Sequence, residues 1–320
     1  MSQFQDLPNE NILKVLSYLK VKDLLRCGQV SKRIRAVSLD KSLYQNMNLK
    51  EKKVRIRFLE RIINKGCKDI NLSGTRLEGS DFNLNEKSQL RCLNLDFVAA
   101  SLKDLEILTD SCVKLQKISM RKITKGLLSS SVIKNICNQN DQTLQVLNLQ
   151  VLNCYETGAS LSPDQIQLIA QKCVALKEVN LNNTDLSLDS INILVNNLTP
   201  KVQNLSLRRC YSVSDGHIDA LVKRCTQIRV LDLNYTGITS KCLPEIIRNL
   251  KDSLEELHFR TYYFDFTPHE NSTELFGLKF LTKLKILHVS ICGFLEQRLK
   301  EELFGVAIKN QKTDGKFCCP

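Results

Sequence analysis

Apolar residues recur along this chain in a fixed short pattern, one residue followed by others three and five positions on. Val202-x-x-Leu205-x-Leu207, Ile228-x-x-Leu231-x-Leu233 and Leu254-x-x-Leu257-x-Phe259 carry it at a spacing of 26 and 26 residues. The same pattern starts at Leu90, Leu115, Leu144 and Leu176 before them and at Leu284 after them. Alternation over five residues predicts a short strand with one buried face. Between strands lie stretches of helical spacing, such as Ile166, Ile169, Ala170 and Ile191, Leu194, Val195, Leu198. The first of these is preceded by Ser162-Pro163-Asp164-Gln165, a capping box with proline in the first turn. One strand plus one helix cannot bury its apolar edge alone, so a sustained period of this length predicts a stack of such units.

The first fifth of the chain has a different rhythm. Leu7-Pro8 opens a helix in which Ile12, Leu13, Leu16 and Leu19 share a face. Asp23 begins a second segment with Leu24, Leu25, Cys27 and Val30 apolar, and Ser31 is placed to cap a third helix, Lys32–Leu39. Leu43-Tyr44 and Met47-x-Leu49 close the unit. Phe4-x-x-Leu7-Pro8-x-Glu10-x-Ile12-Leu13-x-x-Leu16-x-x-Leu19, then Asp23-Leu24-Leu25-Arg26-Cys27 and Val30-Ser31-Lys32-Arg33, resemble the F-box. Where that family usually has an aromatic residue after the Lys-Arg pair, this chain has Ile34, a smaller apolar filler.

The strand pattern further on resembles the leucine-rich repeat. Cys112, Cys173 and Cys225 each lie three residues before a repeat's first apolar position, and Cys210 and Cys292 each lie eight after one. That phase resembles the cysteine-containing subclass of the repeat, in which F-box proteins are common. The fold expected is therefore α/β: an N-terminal three-helix F-box followed by a right-handed leucine-rich-repeat solenoid, with parallel strands on the concave side and helices on the convex side. The organisation expected is an F-box over 1–49, a basic linking helix over 50–66, leucine-rich repeats over 67–304 and a mobile C-terminal tail over 305–320.

Composition narrows the picture. Thirteen cysteines in 320 residues could suggest disulfides, but cysteines that follow repeat phase read as small buried residues, reduced in cytoplasm or nucleus. No run of apolar residues is long enough to span a membrane. The net charge of +12 is uneven: residues 1–66 hold 15 Lys/Arg against 6 Asp/Glu. Such a block suits nucleic acid, acidic lipid or an acidic protein.

No phosphate-binding glycine loop, nucleophile elbow or paired-histidine metalloprotease motif is present, so no catalytic centre is expected and no cofactor or metal is assigned. His258 and His288 fall in the same repeat phase. They are read as two solvated residues with no Cys, His or Asp partner placed to complete a metal site. Alternation puts the residues two, four and six after each first apolar position on the open strand face. Their columns are polar and of mixed sign, unlike a phosphate-binding groove, which argues against nucleic acid. Arg121, Arg208 and Arg260 share one column, Asp232 and His258 another. Tyr211, Tyr235, Tyr262 and Tyr263 fall just after strands, along one rim. These nine residues are the candidates for holding a target protein, tyrosine being favoured at binding hot spots.

The resemblance implies a non-catalytic substrate-recognition subunit of a cullin–RING ubiquitin ligase of the Skp–cullin–F-box type, acting in cytoplasm or nucleus. Leu7, Pro8, Ile12, Leu13, Leu16, Leu24, Leu25 and Val30 would form or support the surface that binds the Skp adaptor, and through it the cullin–RING core. That adaptor is acidic in this family, which suits the basic first fifth of the chain. The alternative is a repeat scaffold that binds proteins without ligase coupling.

Overall fold

The computed structural model describes residues 7–79, 82–84, 86–122, 128–150, 161–260, 272–291 and 293–310. The chain divides into two compact units, Met1–Ile118 and Ser119–Pro320. In the first, three short helices come first: α1 Asn9–Leu16, α2 Val21–Cys27 and α3 Lys32–Ser38. Ile12, Leu16, Leu24, Ile34 and Val37 form their shared core, each no more than 8% exposed. Ile34 thus fills the place expected of it. Ser31 caps α3 by accepting from the Ile34 N–H at 3.2 Å. Arg33 ties the ends of the bundle, donating through Nε to Asn9 Oδ1 at 3.0 Å and through Nη2 to the Leu7 carbonyl at 2.7 Å.

The repeat phase begins earlier than the apolar pattern alone suggests. Strand β1, Asn46–Asn48, lies inside the segment assigned to the F-box and pairs in parallel with β3, Asp69–Asn71. β3 pairs in parallel with β5, Cys92–Asn94, so that Met47, Ile70 and Leu93 stand in register. Tyr44, Cys67 and Leu90 are then equivalent first positions. Tyr44 is buried, and its hydroxyl donates to the Ser38 carbonyl at 2.9 Å, fastening α3 to the sheet. A second parallel pair joins β2, Lys53–Arg55, to β4, Arg76–Glu78. The helix Ile56–Asn64, with Ile56, Leu59, Ile62 and Ile63 buried, occupies the expected linking segment.

In the second unit the parallel order runs β7 Val146–Asn148, β8 Glu178–Asn180, β9 Asn204–Ser206, β10 Val230–Asp232, β11 Glu256–Phe259, β12 Ile286–Val289 and β13 Ala307–Asn310. Leu147, Val179, Leu205, Leu231, Leu257, Leu287 and Ile308 are in register, one row per repeat. Six of the seven, all but Ile308, are at most 2% exposed; burying each contributes roughly 1.5–3 kcal/mol. Behind the strands stand the helices Ser130–Gln139, Pro163–Lys172, Leu188–Asn197, Asp215–Arg224 and Leu243–Leu250; in the second and third the predicted Ile166, Ile169, Ala170, Ile191, Leu194 and Val195 are buried. The capping box at Ser162 and Gln165 forms as read, with both reciprocal hydrogen bonds made.

β13 corrects one expectation. Residues 305–310 were expected to be part of a mobile tail, but Ala307–Asn310 adds an edge strand to β12. Asn310 holds that edge: its amide donates to the Ile291 carbonyl at 2.9 Å and its oxygen accepts from the Ile291 N–H at 3.1 Å. An alternating Ala-Ile-Lys-Asn segment is too short to announce itself as a strand without the partner it pairs with. Residues 311–320 lie outside the described residues.

Seven of the strands among the described residues end in the same turn. Glu51, Gly74, Phe97, Lys122, Asn183, Arg209 and Tyr235 all sit seven residues after a first position, and all have φ between 55° and 63°. Left-handed backbone costs a side-chain-bearing residue of order 1 kcal/mol or more. The cost is met repeat by repeat, because the N–H of the turn residue donates to the next repeat: Asn183 to Arg208 O, Arg209 to Asn234 O, Tyr235 to Arg260 O.

Candidate functional site

The expected adaptor-binding residues divide by burial. Ile12, Leu16 and Leu24 are core, 0%, 2% and 3% exposed, and can act on a partner only by holding the helices in place. Leu7 and Leu13 are half-buried and Pro8 is exposed. Leu25 and Val30 are open to solvent, at 44% and 64%. The structure adds Val15 and, in the turn after α1, Tyr18 and Leu19, which are also exposed apolar side chains. Their signal in the sequence was weak: Tyr18 lies off the predicted apolar stripe, and Leu19 was placed on the buried one.

On the open strand face, much of the polar column has a structural task. Asn48, Asn71, Asn94, Asn148, Asn180 and Asp232 each accept, through Oδ1, the N–H two residues further on, at 2.9–3.2 Å. This side-chain turn shapes the exit from each strand. Asp232, expected as a binding residue, therefore spends Oδ1 on the Asn234 N–H at 3.0 Å, and Oδ2 lies 3.1 Å from Ser206 Oγ. The next column is tied as well. Asn182 Oδ1 accepts the Arg208 N–H at 2.9 Å and Asn234 Oδ1 accepts the Arg260 N–H at 2.8 Å. These residues floor a recess of about 320 Å³ in which Asn148, Asn180, Ser206, Asp232 and His258 line up.

Of the other expected target-binding residues, Arg121 is exposed just beyond the strand Lys117–Ser119. Arg208 and Tyr235 meet: the guanidinium carbon is 5.4 Å from the ring centroid. Arg209, missed in the sequence because it lies seven residues after a first position and so outside the columns read as open, approaches the same ring at 5.7 Å. Two cations on one tyrosine ring, itself half-buried, make a positively charged spot. Tyr211 is 36% exposed. Tyr262 and Tyr263 lie outside the described residues.

His258 and His288 differ from the expectation of two solvated residues. They stand in register on β11 and β12, their rings stacked at 4.0 Å between centroids and 10° between planes. Their side chains are only 19% and 15% exposed. A glutamate, a type the sequence reading did not weigh here, joins them. Glu256 lies two residues before His258 on the same face, its Oε1 2.8 Å from His258 Nε2 and 3.7 Å from His288 Nε2. Arg260 Nη2 lies 3.5 Å from His288 Nδ1 and donates to the Lys309 carbonyl at 3.4 Å. Burial, with the neighbouring His258, Arg260 and Lys309, pushes His288 down to about 4 against the opposing pull of Glu256, so it is neutral at neutral pH.

The nine cysteines among the described residues are free thiols. Burial pushes Cys112 and Cys225 up to about 11 and Cys67 up to about 12, which leaves them protonated and poor nucleophiles. Among the described residues no helix is long and apolar enough to cross a membrane.

Residues 4–50 match the profile of the F-box-like family. Solved structures similar to this chain include an internalin, InlF, of Listeria monocytogenes, at 16% identity and a TM-score of 0.49, covering 95% of this chain and 82% of that one. The leucine-rich repeat-containing protein LegL7 of Legionella pneumophila is similar at 14% identity and a TM-score of 0.48, with 84% and 92% covered. The tropomodulin C-terminal domain of Caenorhabditis elegans matches at 18% identity and a TM-score of 0.39, over 45% of this chain and 93% of that one. With the buried Ile12, Leu16, Leu24 and Ile34 in three capped helices, and a strand–turn–helix unit repeated in parallel register behind them, the chain carries an N-terminal F-box-like domain followed by leucine-rich repeats.

Proposed function

We propose that this chain is the substrate-recognition subunit of a Skp–cullin–F-box type ubiquitin ligase. An F-box-like domain with leucine-rich repeats supports a protein-interaction role, and such proteins are generally non-catalytic adaptors or receptors. The observation that carries the finer reading is the exposed apolar set on the F-box-like helices, Leu25 and Val30 with Val15, Tyr18 and Leu19. Lys14, Lys22, Arg26 and Lys32, exposed on the same segment, suit an acidic Skp adaptor, the charges adding on-rate more than affinity. The repeats hold the target protein on their open strand face, through Arg208, Arg209 and Tyr235 in particular. The ligase gains rate by keeping a target lysine near the charged ubiquitin carrier. The chain itself makes and breaks no bond. Buried, protonated thiols fit a reducing compartment, cytoplasm or nucleus.

The test is co-purification of the tagged full-length chain from cells, probed for a Skp adaptor and a cullin. Leu25→Asp with Val30→Asp leaves the core of the bundle untouched and removes both partners together. Retention of the adaptor by this double variant refutes the reading. So does a wild-type chain that brings down target proteins but never a cullin, which is the behaviour of a scaffold without ligase coupling.

A further inference from the structure

We infer that Glu256, His258 and His288 form a binding site for one divalent transition metal of the zinc class on the open face of β11 and β12. One donor atom from each of the three residues lies within 4.8 Å of the other two. A tetrahedral Zn²⁺ with bonds of about 2.0–2.1 Å holds its ligand atoms about 3.3 Å apart. The carboxylate oxygen sits at 2.8 Å and 3.7 Å from the two nitrogens, on either side of that value. Two imidazoles and one carboxylate are a donor set that zinc takes with a fourth position left to water or another ligand. That position faces the open side of the sheet.

Three observations point to a ligand rather than to a polar cluster at rest. His288 Nε2 is buried and makes no hydrogen bond, an unfavourable state that a bound cation relieves. Parallel register brings the two histidines side by side on adjacent strands, and their stacked rings, 10° from parallel, have to turn for both Nε2 lone pairs to meet one ion. Both rings are largely shielded from solvent, which strengthens coordination over competition by water.

The surroundings also set the limits of the site. Asp232, in register with His258 on β10, is occupied by Asn234 and Ser206. Lys309, in register with His288 on β13, and Arg260 bring positive charge. With metal on Nε2, the ring proton moves to Nδ1. There it meets Arg260 Nη2 on one ring and Asn234 Nδ2 on the other, each at 3.5 Å and each a donor. Those two groups have to swing aside, so the site binds more weakly than a three-ligand centre with carboxylates behind its histidines.

The experiment is titration of the full chain, stripped with EDTA, with ZnCl2 followed by calorimetry, and with CoCl2 followed by its visible absorption. Expected are one zinc per chain, tetrahedral cobalt bands without thiolate charge transfer, and a tenfold or greater weakening in His288→Asn and in Glu256→Gln. Arg260→Ala tightens zinc by removing a charge and an opposing donor. Variants that lose stability are controlled by imidazole proton spectra of the wild type, in which His258 and His288 shift together on adding zinc. Equal affinity in wild type and variants overturns the site. Thiolate charge transfer as the main cobalt signal, unshifted histidines, or weaker binding by Arg260→Ala does the same.

Discussion

Asp232 separates a binding role from a structural one. Its Oδ1 accepts the Asn234 N–H at 3.0 Å, and Asn234 is 1% exposed, so cutting the carboxylate away strands that N–H in a buried residue. A hydrogen bond to a charged acceptor is worth about 1.5–3 kcal/mol, and the stranded N–H sets the loss within that same range. Ser206 loses little, because its hydroxyl still has Asn182 Oδ1 at 2.6 Å. The turn that follows carries Tyr235 at φ 59°, which the hydrogen bond helps to hold. Asp232→Ala is therefore expected to cost about 2 kcal/mol. Asp232→Asn keeps the accepting oxygen, reproduces what Asn148 and Asn180 do in their repeats, and is expected to cost under about 1 kcal/mol. Urea denaturation gives the global effect. Amide exchange at Asn234 gives the local one, where 2 kcal/mol corresponds to a roughly thirtyfold faster exchange. If Asp232→Ala stays within about 0.5 kcal/mol of wild type, or if Asp232→Asn costs as much as Asp232→Ala, the turn argument is wrong. A target that is lost by the alanine variant and kept by the asparagine variant was lost through the fold, not through a contact with Asp232.

Three further outcomes are expected. A Cβ at Gly237 would stand 2.7 Å from the Tyr211 carbonyl oxygen and 3.0 Å from that of Val213, so Gly237→Ala should destabilise by about 1–3 kcal/mol, read as a lowered Tm; an unchanged Tm contradicts the close approach. Ser162→Ala removes the hydroxyl that accepts the Gln165 N–H while leaving its own backbone N–H to donate to Gln165 Oε1, and should cost about 0.5–2 kcal/mol in urea, while Ser162→Asp restores most of it. Native-state alkylation with iodoacetamide at neutral pH should modify Cys27 well before Cys112 and Cys225, as mapped by mass spectrometry; equal rates would mean that the repeats open or that burial has not suppressed the thiolates.

The sequence by itself determined what is local and periodic. The three-and-five spacing settled the strands, the helical spacing and Ser162 settled the helices behind them, and the phase of Cys112, Cys173, Cys210 and Cys225 settled their burial. Those features depend on residues within one turn or one strand of each other, and period alone specifies them. It also carried the helical unit at the start, but not which of its leucines face out: on a short helix one step along the chain turns a side chain by 100°, so Leu24 is core while Leu25 is open.

Tertiary structure decided what depends on one repeat meeting the next. Asn71, Asn94, Asn148, Asn180 and Asp232 look alike in the sequence whether they await a ligand or close a turn; only the backbone geometry after the strand shows the latter. β1 and β13 are strands because β3 and β12 lie beside them. His258 and His288 are 30 residues apart. Their stacking follows from a register that an intervening segment of any length could have shifted, and Glu256 becomes their neighbour only once that register is set. A period announces that units stack; the hydrogen-bonded pairing of adjacent strands decides which side chains share a site.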